Sequence, residues 1–266
     1  MKASFFTEEE EGTISQFLND GYVIFSLKNI EGLNKLRNQL YEIGVNFLNL
    51  TKNPSLETFF NQTQDLVPVE QLNEFRVTLI SHLAENDNTR PLVYSLAKSY
   101  LHWLIGNELA MQRSCNLSIQ LPGDSSSLLP VHSDVWSGNS PYEIVLWIPL
   151  VDCYQSKSMF ILPRQYSVDV YQNFKQYSHL SSEEFYEAIK DNLVCLNVPY
   201  GKAVIFSHTL PHGNRINQEE ETRWTINIRF KSLLSPYGTK ELGESFFPVT
   251  LRPATRIGMS YMKPEC

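Results

Sequence analysis

The chain has 266 residues, of which 42% are hydrophobic and 12% aromatic, with a net charge of −7. This is enough apolar material for a sizeable core, and a β-rich chain of this length can form a single domain. The acidic balance lacks the basic footprint of a nucleic-acid binder and the polybasic stretch that binds anionic lipids. We therefore expect neither nucleic acid nor a membrane as partner.

The four cysteines are widely spaced and form no CxxC pair: Cys115, Cys153, Cys195 and Cys266. Such spacing disfavours a zinc finger or a disulfide framework and favours free thiols in a reducing compartment. The first residues are acidic and contain no apolar core of a signal peptide, and no run approaches 18 apolar residues. These features predict a soluble, cytoplasmic protein.

Residues 1–112 have the apolar spacing of helices. In residues 31–50, Leu33, Leu36, Leu40, Ile43 and Phe47 follow one another at steps of three or four, which places them on one helix face. Further helices are predicted for 8–18, 70–83 and 92–109, with a short strand at 21–26.

From about residue 113 the pattern changes to short β-rich runs separated by turn residues. Strands are predicted for 116–121, 143–151, 158–162, 194–198, 203–208 and 223–230, and a helix for 181–192. We predict one domain over 1–266, mainly β with helices (α+β). It comprises a helical support region (1–112), a sandwich or barrel core (113–235) and a C-terminal extension (236–266).

The sequence Val131-His132-Ser133-Asp134 offers two metal ligands on one side of an extended backbone, because side chains at i and i+2 share a face. A third ligand must come from elsewhere, and His208 and His212 are both credible partners. Two histidines and one carboxylate leave open positions on an octahedral metal, which is typical of non-haem Fe(II) oxygenases. Zinc accepts the same atoms, and a lone HxD pair is often a surface pair without a metal.

Together with Arg223, these residues resemble the phytanoyl-CoA dioxygenase-like family of Fe(II)/2-oxoglutarate-dependent oxygenases. GYVIFSL followed by EGLNKLRNQL is similar to the family's opening strand and helix. SMFILPRQYS is similar to a strand end of the family, although Arg164, Gln165 and Tyr166 stand where Gly-Ser-His is usual. The resemblance covers most of the chain.

This resemblance implies a double-stranded β-helix (jelly-roll, cupin-like) core with the N-terminal helices packed on one sheet. In the family, the distal histidine precedes a glycine, and the arginine that binds 2-oxoglutarate lies eleven residues further on. His212, followed by Gly213, has Arg223 at that distance, whereas the same step from His208 reaches Glu219. The implied cofactors are Fe(II) held by His132, Asp134 and His212, with 2-oxoglutarate and O2 as co-substrates.

On an extended strand, Arg223, Thr225, Asn227 and Arg229 share one face, which we expect to line the mouth of the barrel. Arg223 suits a carboxylate because its guanidinium fork is bidentate and permanently charged. Arg229 is a candidate for an anionic group of the substrate, or for a structural ion pair.

Three further polar positions are candidate co-substrate contacts: Gln120, Asn116 and Asn214. The first two share a strand face with Ser118, which is either an inner wall or a solvated edge. Asn214 is equally typical of a turn.

Trp136 and Trp147 are candidate substrate contacts, since an indole ring can stack on a sugar, but core packing is the commoner role. His208 is interpreted as a satisfied core histidine, with a supporting role near the metal as the alternative.

The predicted function is the oxidation, by hydroxylation, of a small molecule, a saccharide or nucleotide-linked sugar. Desaturation and epimerisation stay open, as does the oligomeric state. One alternative is a metal-dependent cupin-like isomerase or epimerase that needs no 2-oxoglutarate. The other is a non-catalytic sugar-binding protein on the same fold.

Overall fold

The computed structural model describes residues 4–261, in which most of the predicted elements are present. The helices are α1 Glu8–Asp20, α2 Ile30–Leu48, α3 Leu56–Asn61, α4 Leu72–Glu85, α5 Thr89–Ile105, α6 Arg164–Gln172, α7 Phe174–Tyr177, α8 Ser182–Ile189 and α9 Pro253–Ser260. The strands are β1 Tyr22–Ser26, β2 Leu109–Gln112, β3 Asn116–Gln120, β4 Glu143–Pro149, β5 Met159–Ile161, β6 Val194–Cys195, β7 Lys202–Ser207, β8 His212–Asn214, β9 Arg223–Ser232 and β10 Phe246–Thr250.

All strand pairs are antiparallel and form two sheets. The larger has the order β1-β7-β4-β9-β2-β10, with β3 also paired to β9, and the smaller has the order β6-β5-β8. Together with the helices, they form the double-stranded β-helix of the jelly-roll, cupin-like class, as the sequence predicts.

The N-terminal helices α3, α4 and α5 cover the outer face of the larger sheet, as expected from the alternation along β9. Trp224, Ile226, Ile228 and Phe230 point outward from this strand and are fully buried. The Trp224 ring contacts Phe59, Phe60 and Phe75 from α3 and α4, and its Nε1–H donates to Thr63 Oγ1 at 2.8 Å. The opposite face of β9 is thereby turned toward the space between the sheets. Within residues 4–261, no helix is long and apolar enough to cross a bilayer.

One sequence prediction, the end of the helix at 92–109, is wrong. The helix predicted for 92–109 ends at Ile105, because Gly106 adopts a positive φ of 92° that a helix cannot continue, and Leu109–Gln112 forms β2. The C-terminal extension contributes β10, which pairs with β2 at the edge of the larger sheet, and α9. The sheet therefore draws strands from both flanking regions as well as from residues 113–235.

The cysteines Cys115, Cys153 and Cys195 are free thiols, the first two of them buried. Cys266 lies outside the described residues.

Candidate metal centre

His132 and His212 face each other across a short antiparallel bridge between the loop after β3 and the strand β8. The His132 N–H donates to the His212 carbonyl at 3.0 Å, and the His212 N–H donates back to the His132 carbonyl at 2.8 Å. Their ring centroids lie 4.4 Å apart. The relative position of the two imidazoles is therefore set by backbone pairing.

Each of the two rings is oriented in the same way by its own chain. Nδ1 of His132 lies 2.9 Å from the Pro130 carbonyl, and Nδ1 of His212 lies 2.9 Å from the Leu210 carbonyl. A carbonyl accepts only, so Nδ1 carries the proton and donates in each case. Nε2 is then left with a free lone pair, which is the arrangement of a metal-binding histidine.

Asp134 completes a group of three potential ligands. Its carboxylate is buried at the start of the short 3-10 helix Asp134–Ser137, with Oδ1 3.7 Å from His132 Nε2. One ligand atom from each of His132, Asp134 and His212 lies within 4.8 Å of the others. Two imidazole nitrogens and one carboxylate oxygen at this spacing fit a non-haem Fe(II) ion, and also zinc. His208 is not a member of this group.

The electrostatics of the group favour a charged carboxylate on Asp134 and a neutral imidazole on His212. Burial alone would raise the pKa of Asp134, but the adjacent His132 imidazole and the nearby His212, His208 and Arg229 hold it well below its usual range. Burial lowers the pKa of His212 to about 4. Asp134 is therefore ionised at neutral pH, and His212 has its lone pair free for a metal.

Arg223 lies in the wall of the same cavity and is 4% exposed. Its guanidinium donates to the Ser158 carbonyl at 3.3 Å and to Ser118 Oγ at 3.1 Å. Across residues 4–261, no carboxylate forms an ion pair with it, and burial lowers its pKa to about 10. The cavity wall thus contains a positive charge that the described part of the protein does not neutralise.

The cavity has a volume of about 230 Å³ and lies between the two sheets. Its wall comes from the larger sheet, the smaller sheet and the loop before His132, and consists of Asn116, Ser118, Ser127, Leu129, His132, Asp134, Val145, Trp147, Met159, Phe206, His212, Gly213, Asn214, Arg223, Thr225, Asn227 and Arg229. The polar face predicted for β9 is thus part of the wall.

The other predicted site residues are divided between the cavity and its surroundings. Asn116 and Trp147 line it, the former donating to Asn227 Oδ1 at 2.9 Å. Gln120 is not in the wall: it is fully buried beyond it and donates to the Arg215 carbonyl at 2.9 Å. Trp136 is not in the wall either, but is 40% exposed and packs on Phe174 and Phe185.

Asn214 and Arg229 line the cavity, but their polar groups already have partners. The Asn214 amide accepts from the Leu129 N–H at 2.5 Å and donates to the Ser127 carbonyl at 3.1 Å, so it holds the loop before His132. Arg229 donates to Asp134 Oδ1 at 3.0 Å. This is the structural ion pair that the sequence left as the alternative for Arg229.

Glu143 is a residue near the site that the sequence reasoning missed. It opens β4, is 1% exposed, and lies 3.2 Å from His208 through Oε2. The available signal was a single acid at the start of the otherwise apolar strand EIVLWIP. The substituted residues Arg164, Gln165 and Tyr166 begin α6, and none of them lines the cavity.

No protein-family model matches the sequence, and no curated protein matches it. Solved structures do. The jelly-roll fold is shared with non-haem oxygenases of known structure. A nickel complex of the non-haem monooxygenase ThoJ aligns with 91% of this chain and 85% of its own, at a TM-score of 0.59 and 16% identity.

Two further structures of this fold align over most of the chain. The apo form of EctD from S. alaskensis gives a TM-score of 0.57 at 14% identity, over 89% of this chain and 81% of its own. AviO1 from Streptomyces viridochromogenes Tue57 gives 0.53 at 18% identity, over 88% and 99%. At these identities the likeness shows the fold, and the argument for function depends on this chain's own residues.

Gly213, which follows the second histidine, has no room for a side chain. A Cβ there would lie 2.7 Å from the Leu129 carbonyl oxygen and 2.9 Å from the Phe160 ring. We expect Gly213→Ala to displace the loop that carries His132, lowering the free energy of unfolding by about 1–3 kcal/mol and weakening Co(II) binding. Urea unfolding and cobalt titration measure both effects.

Gly12→Ala is the matched control for this substitution. A Cβ at Gly12, in α1, meets nothing within 4 Å. This change is expected to stabilise the protein by about 0.5–1 kcal/mol and to leave cobalt binding unaltered. Equal effects of the two substitutions would contradict the close packing at Gly213.

The stability of the metal-free protein should fall as the pH is lowered from about 6.5 toward 4. Burial lowers the pKa of His212 to about 4 and that of His208 to about 3, so the unfolded chain takes up protons first. Each contributes a slope of up to about 1.4 kcal/mol per pH unit in this window. His132, whose pKa is raised overall by Asp134 and Pro130 against the effect of burial, offsets part of it. Urea unfolding after chelator treatment tests this, and a constant free energy across the window would contradict it.

Proposed function

We propose that the protein is an Fe(II)- and 2-oxoglutarate-dependent oxygenase that hydroxylates a small molecule. His132, Asp134 and His212 would hold the iron. Two observations support the metal: the free Nε2 lone pairs of both histidines, and the ionised carboxylate beside them. When bound, the iron together with 2-oxoglutarate and O2 would supply the oxidation of a C–H bond.

The observation that carries the choice of co-substrate is the unpaired, buried guanidinium of Arg223 in the wall of the metal cavity. Burying a charge without a counter-charge costs several kcal/mol, about 3–5 where a buried pair has been broken. A carboxylate that binds there recovers this cost and forms a bidentate pair. 2-Oxoglutarate has a keto acid at one end for the metal and a second carboxylate for Arg223.

The same observation separates the proposal from its two rivals. A cupin-like isomerase or epimerase would use the three ligands but would not need a buried, unpaired cation in the same cavity. A sugar-binding protein would need neither the cation nor two histidines oriented with Nε2 toward one point. Both groups together are what a keto-dicarboxylate co-substrate requires.

The chain's own groups would position the reactants and exclude water. The Pro130 and Leu210 carbonyls fix the tautomer and orientation of the ligand imidazoles. Arg223 and Ser118 would hold the distal carboxylate of the co-substrate. Apolar side chains complete the wall and limit the access of water: Leu129, Val145, Trp147, Met159 and Phe206.

For the substrate, we propose a saccharide or nucleotide-linked sugar. Asn116, Thr225 and Asn227 offer amide and hydroxyl partners for sugar hydroxyls, and Trp147 offers an aromatic ring. Asp134 is the one acidic residue in the described wall, and it is committed to the metal and Arg229. The cavity therefore favours a neutral or anionic substrate over an amine.

Anaerobic addition of Fe(II) and 2-oxoglutarate should produce the weak visible charge-transfer band of an iron–keto acid chelate. We expect His132→Ala to abolish the band because an iron ligand is lost. Arg223→Gln should retain iron binding but weaken 2-oxoglutarate binding about 30-fold or more, since truncating one partner of a buried charge pair costs about 2–5 kcal/mol. Titration of the band measures both.

Arg164→Gln is the matched control for Arg223→Gln, because Arg164 is exposed at the start of α6 and does not line the cavity. It should bind 2-oxoglutarate with unaltered affinity. A wild-type protein without the band, or a band that His132→Ala leaves unchanged, would contradict the proposed iron site. If Arg223→Gln bound 2-oxoglutarate with unaltered affinity, only the role of Arg223 would be contradicted.

Succinate release should be stimulated by nucleotide sugars or neutral saccharides more than by aminoglycosides of the same size. The physical reason is that no acidic group of the described cavity wall is free to pair with an ammonium. The measurement is succinate formed per substrate, with acyl-CoA thioesters as the comparison class. Stimulation by acyl-CoA alone would overturn the carbohydrate assignment while leaving the oxygenase chemistry in place.

A further inference from the structure

His208 lies just after β7, is fully buried, and does not line the cavity. Its Nε2 is 3.5 Å from Asp134 Oδ2, and its Nδ1 is 3.2 Å from Glu143 Oε2. Neither contact is aligned as a hydrogen bond, and within residues 4–261 neither ring nitrogen has another partner. The ring therefore has a carboxylate at each end, one of them a proposed iron ligand.

The two oxygens of Asp134 face different groups. Oδ1 lies 3.7 Å from His132 Nε2 and accepts from Arg229 at 3.0 Å, whereas Oδ2 faces His208. At the far end of the ring, Glu143 Oε1 accepts the Ser140 N–H at 3.1 Å, which leaves Oε2 for His208. The three side chains thus form a buried series from the metal cavity to β4.

The backbone around His208 holds the same loop by separate contacts. The Ser133 hydroxyl, between the two ligands of the HxD pair, donates to the His208 carbonyl at 2.8 Å. The His208 N–H donates to the Glu143 carbonyl at 3.3 Å. Because these bonds use the main chain, a change of the His208 side chain leaves them available.

We infer that His208 is a positioning residue, which holds Oδ2 of Asp134 so that only Oδ1 binds the iron, while Glu143 fixes the orientation of the imidazole ring. This inference rests on the proposed function. Two histidines and a monodentate carboxylate leave three positions on an octahedral metal, as a bidentate co-substrate and oxygen require. A carboxylate that bound through both oxygens would occupy one of these positions.

A purely structural histidine would be expected to have a different environment. His102, for example, bonds the Tyr94 hydroxyl at 2.8 Å, and His82 bonds the Thr78 carbonyl at 2.8 Å. His208 instead faces a buried carboxyl group with each ring nitrogen. A neutral imidazole has a single N–H, so Nε2 is the donor for Asp134 Oδ2, and Nδ1 is then the acceptor that faces the acid form of Glu143. Such a donor behind a ligand carboxylate typically affects metal affinity 10–100-fold, about what a lost ligand orientation costs.

The test uses Co(II) as the probe metal, so that no turnover is needed. His208→Leu fills the same space without a donor. We expect its affinity for Co(II) to fall about 10–100-fold, and its visible d–d absorption to change because the carboxylate rotates onto the metal. His208→Gln keeps a donor that reaches Oδ2 and should restore most of the affinity and the spectrum. His208→Asn keeps the amide but is too short, and should not.

His102→Leu is the matched control, since it removes a histidine from α5 and should leave cobalt binding and spectrum unchanged. Thermal unfolding of the metal-free proteins establishes which variants are folded. Wild-type affinity and spectrum in folded His208→Leu would overturn the inference. If that variant does not fold, equal affinities of His208→Gln and His208→Asn overturn it, and a difference between them supports it.

These outcomes separate the inference from the proposed function. A wild-type protein that does not bind Co(II) contradicts the metal centre itself. A wild-type protein that binds it, with His208 variants that bind equally well, contradicts only the role of His208.

Discussion

The two backbone hydrogen bonds between His132 and His212 are the interaction on which the site depends. They join the loop after β3 to β8, and so bring together ligands that are 80 residues apart in the sequence. Asp134 follows on the same loop, and Gly213 follows His212 so closely against that loop that no side chain fits. The geometry of the metal centre is therefore a property of sheet pairing, with the side chains adding only local adjustment.

The cavity contains buried polar and charged groups that lack partners in the described part of the protein. Arg223 is buried without an acidic partner in the described chain, and burial keeps His212 neutral. These features cost free energy in the ligand-free protein and are relieved when a metal and a dicarboxylate bind, because ligands that bind only the folded state stabilise it. The polar face of β9 thus lowers the stability of the ligand-free protein but provides groups that bind ligands. The opposite face, with Trp224 fully buried, packs on the helices and stabilises the strand.

The sequence predicted those parts of the molecule that depend on local spacing. Alternation along 223–230 predicted the cavity face of β9, and the HxD pair with the later histidine predicted three residues that the structure brings together.

The sequence-based predictions failed where pairing between distant parts of the chain decides the structure. Leu109–Gln112 continues an apolar pattern and becomes a strand only between β9 and β10. Gln120 and Trp136 share suitable faces or neighbours with site residues, but strand ends and loop direction place them outside the cavity. The contact of His208 with Glu143 joins the loop after β7 to the start of β4 and has no local signal in the sequence.

The edges of the larger sheet have a consequence for how the protein folds. One edge is β1, which pairs with β7 about 180 residues later, and the other is β10, which pairs with β2. The central strand β9, which pairs with β2, β3 and β4, is made after all three of them. The N-terminal helices therefore emerge from the ribosome well before the sheet they cover, with their apolar faces uncovered. Assembly is dominated by non-local pairing, which makes it slow and leaves apolar helix surface open to aggregation until β9 is made.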